Sequence, residues 1–425
     1  MFLIAIGLFF MGVTSVHASD YMTLEDSIKM AVERNPGVKA QDQDVLGKDM
    51  DKRSQFSKML PSLDATYGYM KFSQLEMLPF PPPIGPLPFN SKGNYDMDIE
   101  AKQVLFAGGA LYNGYLIAKN DQFASELERE RFIRDIKLMA IDAYYGVIKA
   151  RQQREVAKSN VASVKSHLDV ANAFFNEGMI PKNDLLEAQV QYSESEEFLI
   201  SADNAVKIAE SNLNILLQNN INEDLNIEPE IPLTSIDITF DQSLATAMDN
   251  RQEIKIAKLT LDNSAKGISI AKSVFMPDIA ATYGYENQKG VDPSLKYDTW
   301  KAGIGLTWNL FSGGSGYWNY NKSQYMNTKA GYLLESLKNQ VTLEVKNSYL
   351  NIQEARARLQ VAEKAIAQAE EFARIEKDSY NLQAATTDDV LRSQTLLVRA
   401  HNNYIMARAD HARALAVLRA SMGTL

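Results

Sequence analysis

The sequence predicts a mainly α-helical protein that also carries a membrane β-barrel, its chain written as two internal repeats, each of long coiled-coil helices plus a β-hairpin. Three observations carry that reading. One gapped register superposes the two halves, period-two segments recur at equivalent points in both, and proline-free runs show heptad spacing.

At an offset of 216 residues Met59–Tyr69 falls on Phe275–Tyr285, matching Pro61 with Pro277 and Ala65-Thr66-Tyr67-Gly68-Tyr69 with Ala281-Thr282-Tyr283-Gly284-Tyr285. The same offset places Leu24, Ser27, Ile28 and Ala31 on Phe240, Ser243, Leu244 and Ala247. Farther along the offset is 205: Leu105-Phe106-Ala107-Gly108-Gly109 falls on Leu310-Phe311-Ser312-Gly313-Gly314, Tyr144 on Tyr349, and Asp184-Leu185 on Asp389-Val390. The difference of 11 residues traces to an insertion in the first copy, Leu78 to Asn90, which contains six prolines. Proline cannot donate to a strand ladder, so the insertion reads as a stiff loop at a hairpin tip.

Each copy has one grammar: a helix ending at a proline, two alternating segments, Leu-Phe-x-Gly-Gly, a very long helix, a turn and a second helix. The expected divisions are a signal peptide over 1–18, a first repeat over 19–222, a linker over 223–238 and a second repeat over 239–425. Within the first repeat the hairpin is placed at about 62–105 and the helices at about 109–176 and 183–219. In the second the hairpin is at about 278–310 and the helices at about 316–381 and 387–422.

The apolar run Phe2–Phe10 followed by Val16-His17-Ala18 has the pattern of a secretory signal with its small-residue cleavage site. The run is too short for the ~20 apolar residues of a spanning helix. No Lys or Arg precedes it, which points to a translation start slightly different from Met1. The chain has no cysteine, which removes disulfides, thiolate metal sites, cysteine nucleophiles and lipid attachment at cysteine. A net charge of −9 argues against a nucleic-acid-binding protein, which needs a basic face.

In the first copy Leu63, Ala65, Tyr67 and Tyr69 alternate with Ser62, Asp64, Thr66 and Gly68, and Tyr95, Met97, Ile99 and Ala101 with Asp96, Asp98, Glu100 and Lys102. The second copy repeats this with Ile279, Ala281, Tyr283 and Tyr285, then Trp300, Ala302, Ile304, Leu306, Trp308 and Leu310. Such strands have one apolar and one polar face. A soluble antiparallel sheet with one wet face would show the same alternation. The strand length of roughly 10 residues, aromatic residues placed toward strand ends and true charges on the polar face favour a barrel wall. Two strands per copy make four per chain, and four cannot close a barrel. An open edge in lipid leaves backbone groups unpaired, so closure requires several subunits. Two chains would give a barrel filled by its side chains, and three would leave a passage.

Positions 341, 345, 348, 352, 355, 359, 362, 366, 369 and 373 form one heptad seam, and 390, 393, 397, 400, 404, 407, 411, 414 and 418 another. At 1.5 Å per residue a helix of about 65 residues spans ~100 Å, a rod that no globular core needs. A surface coiled-coil structural or adhesive protein is the alternative, but it gives no reason for lipid-patterned hairpins at equivalent points of both copies.

The paired Leu-Phe-x-Gly-Gly motifs, the junctions at Pro61 and Pro277, and the two turns Asn176–Ala188 and Tyr380–Leu391 together resemble the TolC-like outer-membrane efflux family (outer membrane factors) over nearly the whole mature chain. The closing Ser421–Leu425 also looks like the end of the family's last helix. The resemblance implies a homotrimer with a 12-stranded barrel in outer-membrane lipid and a periplasmic α-helical tube. It also implies docking on a periplasmic adaptor protein and an inner-membrane efflux pump or ABC exporter, with cargo passing through by efflux or type I secretion. The chain resembles the non-lipidated branch and stops without a C-terminal extension.

No catalytic, metal or cofactor constellation emerges. His167, His401 and His411 lack metal-ligand spacing and read as helix-surface or seam residues. Ser312–Gly316 lacks the Gly-Lys-Ser/Thr of a nucleotide loop. Gly108, Gly109, Gly313 and Gly314, with Pro61 and Pro277, read instead as strand–helix junctions. Three groups are candidates for function. At the tips, Asp184 and Asp389 are expected to cap the returning helices. Gly178, Met179, Leu185, Leu186, Gln383, Val390 and Leu391 around them are expected to be exposed for adaptor contact. Gln383 stands where the first tip has Gly178, so the tips need not be equivalent. Glu370, Glu371, Arg374, Glu376 and Asp378 would recur around the entrance of a trimer as a periplasmic gate. Asp64, Asp96, Asp98, Glu100 and Glu286 against Lys102 and Lys301 would give the barrel lumen an acidic lining.

Overall fold

The computed structural model describes residues 21–74, 77–88, 93–234, 237–290 and 296–425. The expected signal peptide, 1–18, lies outside them. The first copy runs α1 (Leu24–Arg34), α2 (Pro36–Ser57), β1 (Ser62–Lys71), β2 (Met77–Leu78), β3 (Leu87–Pro88), β4 (Gly93–Ala107), α3 (Ala110–Asn176) and α4 (Lys182–Leu217). The second runs α5 (Phe240–Asn250), α6 (Gln252–Ser273), β5 (Asp278–Gly290), β6 (Lys296–Thr307), α7 (Ser315–Asn381) and α8 (Thr387–Ser421).

The duplication extends to capping atoms. Thr23 and Asp26 form a capping box at the start of α1, and Thr239 and Gln242 form one at α5, 216 residues later. Ser27 and Ser243, one turn into each helix, are both fully buried, as are Ala31 and Ala247. Gly109 and Gly314 cap α3 and α7 with the same φ of 81°. Both long helices have 67 residues.

α2 and α6 do not run to Pro61 and Pro277. They stop at Ser57 and Ser273, and a tight turn follows in which Met59 and Leu60, or Phe275 and Met276, donate back to the helix end. Proline then fits the extended residue just before each strand. The proline insertion is not all loop, because β2 and β3 form a two-residue ladder, Met77 opposite Pro88 and Leu78 opposite Leu87. A ladder this short tolerates a proline at its end. β6 ends at Thr307, so Trp308 and Leu310 lie beyond the strand, and Trp308 Nε1 donates to the carbonyl of Phe275 at 3.2 Å.

α3 is the spine. It packs against α2 and α6 in its first part and against α4 and α8 farther on, while α7 packs against α6 and then α8. Most of each expected seam is buried: Val341, Val345, Ser348, Ile352, Ala355, Leu359 and Ala362 on α7, and Val390, Ser393, Ala400, Ala407, His411 and Leu418 on α8, while Ile366, Ala369 and Ala373 of α7 and Leu397, Tyr404 and Ala414 of α8 are half-buried. α8 has a further buried stripe, Ile405, Ala409, Ala412 and Ala416, because it meets α3 as well as α7. The main core lies where α1, α3, α4, α8 and the connecting segment converge on Tyr144, Ile148, Leu213, Leu217, Ile227 and Ile231. The segment joining the copies is therefore packed, anchored by the Met22–Ile227 bridge and by Tyr144 Oη donating to the carbonyl of Met22 at 2.8 Å.

Candidate functional site

β1, β4, β5 and β6 form one antiparallel sheet in that order. The registers align apolar with apolar across it: Leu63–Ala101–Tyr283–Ala302 is one row and Ala65–Ile99–Tyr285–Trp300 the next. Side chains alternate faces along a strand, so the intervening rows lie on the other side. Those rows are Asp64–Glu100–Gly284–Lys301 and Thr66–Asp98–Glu286–Thr299. All seven charged residues expected in a lumen therefore share one face, with Asp64 opposite Glu100 and Asp98 opposite Glu286. Lys301 Nζ lies 3.6 Å from Glu286 and supplies a local countercharge. On the other face Leu63, Trp300 and Ile304 are about 70% exposed within the chain, left uncovered by the described residues. A bulge at Leu105 shifts the β4 register next to the glycine pair.

The far ends of the helices form two tips with matching backbones. In the first, Gly178 is left-handed (φ 74°) and Met179 N donates to the carbonyl of Phe174 at 2.8 Å. In the second, Gln383 is left-handed (φ 61°) and Ala384 N donates to the carbonyl of Ser379 at 2.8 Å. Both are helix ends of the Schellman kind, one made without glycine.

The returning helices begin differently. Asp389 accepts from Thr386 N and Oγ1 at 3.1 and 2.7 Å, completing a capping box, and also pairs with Arg392. The Thr386 hydrogen bonds hold its carboxyl below the usual range. Asp184 has no such role: α4 is capped by Pro181, which offers no side-chain acceptor, and Asp184 accepts from Asn183 Nδ2 at 2.7 Å. The expectation that both aspartates cap thus holds for Asp389 alone.

Leu185, Val390 and Leu391 are buried, contrary to their expected exposure. Leu185 packs with Ala171 and Ala188 in a small core of the first tip. Seam spacing along α4 and α8 turns these residues inward. Met179, Leu186 and Gln383 remain exposed. Between α4 and α8 runs an open groove of about 320 Å³, lined by Gln191, Glu194, Phe198, Gln394 and Arg399. Sequence reasoning missed it because neither helix alone shows a gap between them.

Of the acidic candidates, Arg374 joins Glu371 at 2.7 Å and Asp378 at 3.1 Å along α7. Pairing with Arg374 lowers the Glu371 pKa and raises that of Arg374. Glu370 instead reaches His401 of α8 at 3.6 Å. The expected group is thus divided between the Arg374 ladder and a contact across to α8.

A sheet with one apolar uncovered face, continued by rods far longer than a globule needs, defines a subunit of a membrane channel extended by a helical tube. No helix among the described residues is long and apolar enough to cross a membrane. The chain belongs to the outer membrane efflux protein family, whose model matches residues 27–218 and 244–424. It is an outer-membrane channel protein whose helices extend into the periplasm. It is similar to outer membrane protein TolC of Vibrio cholerae, 22% identical over 68% of this chain and 67% of that one. Alkaline protease secretion protein AprF of Pseudomonas aeruginosa is 22% identical over 70% of this chain and 64% of its own length. The sequence matches thus span about two thirds of these relatives. The fold is shared with the CmeC outer membrane channel of Campylobacter jejuni, with a TM-score of 0.80 at 16% identity, covering 94% of this chain and 85% of that one.

Proposed function

We propose that three copies of this chain close into a passive exit duct, fed through its periplasmic end by an inner-membrane efflux pump or ABC exporter joined to it by an adaptor protein. The observation that carries this is the sheet. Its free edges, β1 and β6, run in opposite directions, so β6 of one copy can pair with β1 of the next and keep the ladder antiparallel. Within the chain, β4 on β5 and α3 on α6 join copy one to copy two. Each such contact is a template for joining copy two to copy one of the next subunit. Exposed Tyr325, Tyr332, Leu343 and Leu350 along α7 supply apolar area for that closure.

The geometry supports finer assignments within this reading. Met179, Leu186, Gln383 and the α4–α8 groove form the adaptor surface, with Leu185, Val390 and Leu391 supporting it from beneath. The Arg374 ladder constricts the entrance, the charged sheet face lines the barrel, and the chain carries no catalysis of its own.

Single-channel conductance in a planar bilayer, with the mass measured in detergent, tests the duct. A trimer giving small, mostly closed, cation-preferring currents supports it. A non-conducting monomer would favour a surface coiled coil.

A further inference from the structure

His167 of α3 is buried between the two hairpins close to their tips, 9% exposed. Its ring centre is 4.6 Å from that of Tyr380, the last buried residue of α7. Phe174, two turns along α3, lies 5.6 Å from the same tyrosine ring. The Tyr380 hydroxyl lies 3.4 Å from Thr387 Oγ1, at the first residue of α8. One imidazole of the first hairpin is thus seated at the root of the turn joining the two helices of the second.

Among the described residues His167 Nε2 has no hydrogen-bond partner. Beside it is a cavity of about 50 Å³ lined by Ser163, Ser166, Lys377, Asn381, Ser393 and Gln394 together with apolar side chains. Among the described residues lining it, Lys377 of α7 is the one charged group and Tyr380 the only other titratable one. α3 and α8 bring hydroxyls and an amide, and no carboxylate lines the cavity. A proton gained by His167 in place would meet the Lys377 cation, hydroxyls and amides, and no carboxylate among the described residues lining the cavity to balance its charge. Burial already pushes its pKa down to about 4.

The repeat makes this joint one-sided. The 205-residue register places Phe372 where His167 stands and Phe175 where Tyr380 stands. The seam of copy one on copy two therefore holds a titratable pair, whereas in the proposed trimer the corresponding seam toward the next subunit would hold two phenylalanines.

We propose that His167 is an acid-released latch: protonation of its buried imidazole unseats the first hairpin from Tyr380 and frees the second tip to move, so that the periplasmic entrance loosens as the medium acidifies. This rests on the duct reading above. The sign follows from linkage: a seated His167 binds its proton less readily than a solvated one. The seated form is fully favoured above the ordinary histidine pKa and is progressively penalised as pH falls from about 6.5 toward 4. Between pH 7 and pH 5 the shift toward the loosened form is roughly 20-fold per subunit.

The test uses the full-length trimer in a planar bilayer, titrated from pH 7.5 to 5 on the helical-tube side. Three variants accompany it: His167→Phe, which copies the apolar seam, His411→Gln, which removes another buried histidine, and Arg374→Ala, which conducts modestly more than wild type at neutral pH if the Arg374 ladder gates the duct. The expected result is a rise in open probability of tenfold or more in wild type and H411Q, and a flat profile in H167F. An equal acid rise in H167F, or none in wild type while R374A conducts, would overturn the latch and leave the duct. Silence of every form, R374A included, would overturn both. Amide hydrogen exchange over 163–170 and 377–394, corrected for intrinsic rates, reads the same release without current. Faster acid exchange in wild type than in H167F supports the latch, and equal exchange in the two refutes it.

Discussion

Gln383 donates its side-chain amide to the sulfur of Met179 across 2.9 Å, so the two tips touch through the places where each hairpin turns. The geometry is unequal. Gly178 reaches its left-handed φ freely, while Gln383 holds φ 61° with a side chain attached. A left-handed non-glycine residue costs about 1–2 kcal/mol. Gln383→Gly relieves that strain and loses the contact, and Gln383→Val keeps the strain, worsens it by β-branching and also loses the contact. Hydrogen exchange at residues 379–386 is therefore expected to be faster in Q383V than in Q383G. Equal rates would mean that the contact, and not the backbone, governs the turn.

Leu185 tests whether the tip has a core of its own. It is buried against Ala171 and Ala188, and truncating a buried leucine costs about 2–5 kcal/mol. Leu185→Ala is expected to loosen the first tip in hydrogen exchange and to weaken efflux, while heat-resistant trimers still form, because the sheet and upper helices are untouched. Leu186→Ala, at an exposed neighbour, should weaken adaptor binding without changing exchange. Loss of trimers in L185A would place that residue at a subunit contact.

Arg374 carries two ion pairs, and every partner is more than half exposed. Exposed pairs contribute little each. Arg374→Ala is therefore expected to raise open probability only modestly, roughly two- to fivefold per subunit. Raising the salt concentration should shrink the difference between wild type and R374A by screening. Glu371→Gln should reproduce part of the effect, and Glu376→Gln, outside the Arg374 ladder, very little. An unchanged R374A channel would remove this ladder from the gate.

Much of this architecture was legible in sequence, and the parts that were not have physical reasons. The two-offset register located both tips and both glycine pairs, because a duplicated fold must satisfy the same backbone groups twice. Heptad spacing identified the α7 and α8 seams but said nothing of the second α8 stripe, which exists because α3 lies across it. Exposure at the tips was misjudged for Leu185, Val390 and Leu391. Proximity to a turn says little about burial, and all three follow the seam inward. Thr386, three residues before Asp389, was a readable capping signal, and Pro181 at the corresponding place was equally readable as its absence. The seating of His167 against Tyr380 joins residues 213 positions apart and had no local sign beyond the seam-like spacing of Ala157, Val164, His167 and Ala171.

The barrel face makes an electrical prediction. Asp98 and Glu286 lie directly opposite each other, as do Asp64 and Glu100, and like charges so placed are unfavourable unless water and mobile cations screen them. A D98N/E286Q channel is expected to assemble at least as well as wild type and to lose part of its cation preference, read as a reversal potential closer to zero in a salt gradient. A preference unchanged in the variant would assign selectivity to the tube entrance.

The glycine pairs offer the sharpest comparison, because the repeat supplies its own control. Gly108 and Gly313 occupy the same place in the two copies, with φ 56° and 65°. Among the described residues of the single chain an added Cβ at Gly313 meets nothing within 4 Å, whereas at Gly108 it would lie 2.6 Å from Ser273 Cβ and 2.8 Å from Ser273 Cα. Both alanine variants incur the backbone strain of about 1–2 kcal/mol. G108A forces the start of α3 away from the end of α6 inside the chain, whereas in the proposed trimer the 216-residue offset puts Ser57 of the next copy where Ser273 stands, so that G313A would press on a subunit contact instead. G108A should therefore lower the thermal stability of the folded chain itself, and G313A should spare the separated chain beyond the backbone strain while giving fewer trimers. Equal chain stability and equal trimer yield for the two would mean that strain alone sets the junction, and that the approach of each long helix to the neighbouring serine is free to relax.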